Sequence, residues 1–127
     1  MSSKALTTII NYIEQTYNIG TADILSIIDS DTIDEDTFKK IEDVVIIMPT
    51  ITTSSLALAL STAGGEWTKK GWDLTKLGLN INTDRTTRIQ DLCDEICKSS
   101  YNSGSSSVAT TQNIITLVKL MSPSTRN

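Results

Sequence analysis

The sequence predicts an all-α fold, a single compact bundle of about six or seven short helices. Three observations carry that prediction. Apolar residues recur three and four apart through most of the chain, the repeat of a helix with one buried face. Small polar residues, Gly and Pro stand where such runs begin and end. The one alternating run, Leu56-Ala57-Leu58-Ala59-Leu60, is built from Ala and Leu, which favour helix over strand. The 127 residues suffice for one domain, 1–127, with no room for a second core of ordinary size.

The elements follow in order. Leu6, Ile9, Ile10, Ile13 and Tyr17 form the first stripe, with Ser2 or Ser3 as its cap and Gly20 as its end. Thr21 caps a short second helix carrying Ile24, Leu25, Ile27 and Ile28. Thr32-Ile33-Asp34-Glu35 fits a capping box. Asp34, Glu35 and Asp36 then fall in a first turn, where the helix dipole favours carboxylates. Phe38, Ile41, Val45 and Met48 make the stripe of a third helix, which Pro49 stops. Thr52, Thr53 or Ser54 caps a buried helix that Gly64-Gly65 ends. Trp67, Gly71, Leu74 and Leu77 suggest a further helix, ended by Gly78. Asn82 or Thr83 caps the next, with Ile89, Leu92, Cys93, Ile96 and Cys97 on one face. Residues 99–107, rich in Ser with Asn102 and Gly104, read as a flexible loop. The last helix turns Ile114, Ile115, Leu117, Val118 and Met121 inward, with Pro123 beyond its end. Residues 122–127 are expected to fray as a short tail.

Composition excludes several classes of function. Hydrophobic residues make up 39% and charged residues 20%, and much of the polarity comes from 15 Ser and 19 Thr. Such a chain can bury a core; it is neither collagen-like nor a disulfide scaffold. The absence of His removes the commonest general base, the commonest metal ligand and every Ser-His-Asp or Cys-His set. Two Cys cannot complete a four-Cys zinc site. No cofactor and no metal are expected. A net charge of −4 and a pI near 4.7 argue against a protein that coats DNA. The charge is uneven: residues 1–43 hold three Lys against nine carboxylates, a net of −6, and residues 44–127 hold eight basic against six acidic residues, a net of +2. The two parts attract each other, within one chain or between chains. Met1-Ser2-Ser3-Lys4 leads straight into an amphipathic pattern rather than an apolar signal region. The expected setting is a reducing intracellular compartment, the cytoplasm, with a virion as the other candidate.

Few motifs carry chemistry. Residues 44–65 hold no charge over 22 positions, a length that could span a bilayer. Pro49, two Gly and seven Ser or Thr interrupt the stretch, so a membrane is not the expected partner. Helices meeting in a core, or an apolar surface for a protein partner, explain it better. Asp29, Asp31, Asp34, Glu35 and Asp36 lack the Gly and the Glu of an EF-hand loop. No phosphate-loop pattern surrounds Gly64-Gly65, and Ser105-Ser106-Ser107 has no base to activate it. Cys93 and Cys97 share a helical face. They form a thiol pair for redox sensing or intermolecular linkage, or, more plainly, two small buried apolar residues; a disulfide between them would be strained. Lys69, Lys70, Lys76, Arg85 and Arg88 interleave with Trp67 and Trp72, a mixture that can track a phosphate backbone and stack bases. Glu66, Asp73, Asp84 and Asp91 among them favour a mixed-charge solvated face.

The expected function is therefore non-enzymatic: a structural or interaction subunit that assembles with itself or with other proteins of a larger complex, such as a viral or nucleoprotein particle. Apolar burial around residues 44–65 would hold the contact, with Trp67, Trp72, Leu56 and Leu60 as the interaction residues. The alternative is a small helical subunit on the nucleic-acid backbone of a ribonucleoprotein machine, such as a CRISPR effector, through Lys69, Lys70, Lys76, Arg85 and Arg88. No residue qualifies as catalytic.

Overall fold

The computed structural model of the chain describes residues 4–29, 34–79, 84–98 and 107–121. Among them are six α-helices and one short hairpin, so the all-α class holds. Helix α1 (Lys4–Tyr17) buries Leu6, Ile9, Tyr12, Ile13 and Tyr17, one stripe at three-and-four spacing. The residue that follows it, Asn18, has a left-handed φ of 55°. Asn tolerates that conformation, and it takes the terminating role expected of Gly20. Gly20 instead opens α2 (Thr21–Asp29): its carbonyl accepts from the backbone N–H of Asp23 at 3.1 Å and of Ile24 at 3.2 Å. Ile24 and Ile27 point inward and Leu25 points out.

Helix α3 (Glu35–Ile47) starts behind Asp34, with Glu35 and Asp36 in its first turn, where the dipole favours them. Ile41 and Val45 are buried. Met48 then ends α3 and opens α4 (Pro49–Ala63) at once, and the two helices meet at 103°. Pro49 thus begins a helix as much as it stops one, because the first turn does not need the N–H that Pro lacks. In consequence α4 starts ahead of Thr52, Thr53 and Ser54, and Met48 faces outward instead of joining the inner stripe. Gly64 closes α4 at φ 112°, its N–H reaching the carbonyls of Leu60 and Ser61. A residue with a Cβ would be strained there.

The helix predicted through Trp67, Gly71, Leu74 and Leu77 does not form. Strands β1 (Glu66–Thr68) and β2 (Gly71–Asp73) pair antiparallel, with Trp67 opposite Trp72. A single 3-10 turn at Thr75–Leu77 follows, and Gly78 does end it. The glycines weaken a helix here, whereas Trp and Thr suit a pleated surface. The two indoles pack edge to face across the strands, with centroids 5.5 Å apart.

Helices α5 (Asp84–Lys98) and α6 (Ser107–Met121) lie antiparallel. At one end Arg85 Nε donates to the Leu120 carbonyl at 2.7 Å, and further along Asn113 reaches Glu95. Helix α6 also packs on α1, α2 and α3, and the shared core draws on every helix. No single helix among the described residues is long and apolar enough to cross a membrane. The caps assigned to Ser2, Ser3, Thr32, Asn82 and Thr83 lie outside the described residues, as do the inward turn of Met121, the tail 122–127 and the loop 99–107 short of Ser107, which opens α6.

Candidate functional site

Three leucines spaced two apart on a helix cannot share one face. Leu56 and Leu60, four apart, fall together, while Leu58 falls about 200° away. Leu56 and Leu60 are accordingly 0% exposed, whereas Leu58 is 69% exposed. Two of the residues expected to meet a partner are therefore core residues of this chain. The side chain on offer is the one between them.

Leu58 overlooks a groove of about 690 Å³ between α1 and α4. Thr8, Asn11, Gln15 and Thr16 line it from α1; Met48, Ile51, Ser55 and Leu58 line it from α4, with small residues towards Ala63. Among the described residues none that lines it is charged. A buried polar cluster fixes the two walls. Tyr12 donates to the Thr52 carbonyl at 3.1 Å and shares a 2.7 Å hydrogen bond with the Tyr17 hydroxyl. The Tyr17 hydroxyl also lies 3.5 Å from Thr52 Oγ1, and the two rings meet edge to face at 85°. This explains why Thr52, at the start of the buried stripe, is polar: its hydroxyl and carbonyl have partners there. Ile46 and Ile47, at the end of α3 just before the 103° corner, are also exposed, Ile47 by 75%.

Trp72 is an internal anchor. It is buried on α5, where its backbone N–H donates to Asp94 Oδ1 at 2.8 Å and its carbonyl accepts from Gln90 Nε2 at 3.1 Å. Gly71, at φ 112°, lies so close to Asp94 that a Cβ would collide with the carboxylate. The indole N–H of Trp72 is buried with no acceptor among the described residues in good geometry. Trp67 covers Trp72 and is half exposed, so of the two tryptophans it alone offers surface.

Cys93 and Cys97 are free thiols. Burial pushes Cys93 far above the ordinary thiol range, with Cys97 and Asp94 adding to the rise. Burial also pushes Cys97 up to about 11, the Trp72 indole opposing the shift and Asp94 reinforcing it. Both stay protonated at neutral pH and are weak nucleophiles.

The basic residues are partly spent on the chain itself. Lys76 pairs with Glu66 at 3.2 Å, and the Arg85 guanidinium is turned onto the Leu120 carbonyl. Lys69 and Lys70 sit exposed at the hairpin turn, and Arg88 is exposed on α5. Among the described residues, no group of three or more Cys, Asp or Glu is placed to hold a metal ion.

These features define an all-α bundle with an open, uncharged groove. The sequence matches no protein-family model and no curated protein, and the fold matches no solved structure. Sequence reasoning missed Asn11, Gln15, Ile51 and Leu58 as lining residues. The polar face of α1 reads as a solvent face, but the spacing of the three leucines already puts Leu58 on the far side of α4.

Proposed function

We propose that this protein is a non-enzymatic interaction subunit that joins a protein assembly through the groove between α1 and α4. The observation that carries the reading is Leu58, 69% exposed beside a groove with no charged lining residue. A lone exposed Leu is ordinary. An exposed Leu that shares a groove with Met48 and Ile51 marks a surface suited to a partner. Covering each of these side chains would contribute roughly 1–2 kcal/mol. The uneven charge, −6 over residues 1–43 and +2 over residues 44–127, would orient approach more than hold the contact. The competing nucleic-acid reading is weakened because Lys76 and Arg85 are turned to acceptors in this chain.

The test is recovery of cross-linked partners from the native source, with the chain and with its Leu58→Asp variant, in the presence of nuclease. The expected outcome is a protein partner, another copy included, that is recovered with the natural chain and lost with the variant. Identical recoveries would overturn the reading.

A further inference from the structure

We infer that the occupant of the α1/α4 groove is the α4 helix of a second copy, packed antiparallel across a two-fold axis. This rests on the reading of the groove as an assembly surface and names its partner.

The first argument is charge. Among the described residues none that lines the groove is charged, so a charged group entering it would lose water without gaining a counter-charge. The face of the matching helix that enters the groove must be neutral. Among the six helices of the described residues, α4, PTITTSSLALALSTA, is the one that carries no charged residue on any face.

The second argument is spacing. The lining residues Ile51, Ser55, Leu58 and Thr62 are four, three and four apart on α4, and Thr8, Asn11 and Gln15 are three and four apart on α1. This is the alternation by which one helix seats its side chains between those of another. An antiparallel α4 pair crossing between Ser54 and Ser55 sets Ile51 of each copy against the partner's Leu58. Both contacts are apolar, and the second follows from the first by symmetry. Serines at the crossing let the axes approach to about 8 Å. The antiparallel arrangement also places opposite ends of the two helix dipoles side by side.

The third argument is area. Helix α4 has 15 residues, so it is about 22 Å long and about 10 Å across. Seating about a third of its girth in the partner's groove, twice over, buries on the order of 1,000 Å² in total. That lies at the threshold of about 1,000 Å² for a specific interface and below its standard size, so a weak, reversible dimer is expected, with a dissociation constant on the order of micromolar set as the target of the test. Because the same patch is used on both copies, the contact closes on itself and does not propagate.

The test uses the full chain in sedimentation equilibrium from about 1 to about 200 μM, a range that brackets the expected constant. The natural chain is expected to shift from monomer to dimer with little dependence on salt. Leu58→Asp is expected to weaken the dimer about 100-fold or more, with circular dichroism unchanged. In a second variant, Ser55→Cys, mild oxidation is expected to give a disulfide-linked dimer; the control Ser26→Cys, exposed on α2, does not. A dimer that survives Leu58→Asp, with no cross-link through position 55, overturns the inference. A chain that stays monomeric throughout also overturns it. If that chain still recovers a different protein in a Leu58-dependent way, the assembly reading stands and only the second copy as partner is wrong.

Discussion

Helix α4 and helix α5 each present a flank to a neighbouring element, and the two junctions are closed differently. On α5 the hairpin is latched by directed polar contacts: Asp94 takes the Trp72 N–H, and Gln90 donates to the Trp72 carbonyl. On α4 the groove beside α1 has a satisfied floor of Tyr12, Tyr17 and Thr52, but among the described residues Leu58 stays exposed. Among the described residues the chain closes one surface with its own hairpin and leaves the other, an uncharged groove, open. The difference is written in residue chemistry. A surface closed from within carries a carboxylate and an amide aimed at one backbone segment. The surface left open carries neutral side chains, with Met48, Ile51 and Leu58 among hydroxyls and amides; the contact its apolar residues make is non-directional and suits a partner that can part again.

The contrast breaks most readily at the leucines. Leu56→Ala removes a fully buried side chain and is expected to cost about 3 kcal/mol of monomer stability. Leu58→Ala, two residues on, is expected to change it by less than about 0.5 kcal/mol. Urea unfolding at a concentration too low for association measures both. Equal costs would mean that Leu58 is covered by the chain itself.

The latch on α5 is tested by Gly71→Ala, which strains a left-handed backbone and drives a methyl into Asp94. The expected cost is about 2 kcal/mol. The double variant Gly71→Ala with Asp94→Ala is expected to cost less than the two singles together, because the collision is gone. Strict additivity would show that the carboxylate does not press on the hairpin.

A last test reads alkaline stability. The Cys97 thiol is raised from 9.0 to about 11 in the folded chain, so above its ordinary pKa the unfolded chain binds fewer protons than the folded one. Stability is then full below pH 9.0 and falls as the pH rises towards about 11. Unfolding midpoints measured between pH 8 and 11 should fall less steeply in Cys97→Ala. Parallel slopes would mean that the thiol ionises equally in both states.

Helices were legible in the sequence wherever one face alone is apolar, as in α1, whose stripe runs from Leu6 to Tyr17. Misreading began where local rules compete. Residues Trp67 and Gly71 are four apart, a helical interval, yet they belong to opposite strands because the glycines weaken the helix and the indoles pair across the turn. Pro49 was legible as punctuation but not as the shared boundary of two helices. The site was visible only in outline. A stretch of 22 residues without charge says that water is being excluded somewhere. It does not say which flank of α4 the rest of the chain covers, since that depends on α1 and on Tyr12, 40 residues away from Thr52 in sequence. Sequence alone therefore names Leu56 and Leu60 as interaction residues, where the structure buries both in the core of this chain, and it does not single out Leu58.

Helix α6 packs on α1, α2, α3 and α5, yet it comes after all of them in the chain. During synthesis at about 5–20 residues per second, Lys4–Tyr17 emerges from the ribosome roughly 5–20 s before Ser107–Met121. Through that interval the apolar faces meant for α6 have no native neighbour. The native packing of those faces is complete only once α6 has emerged.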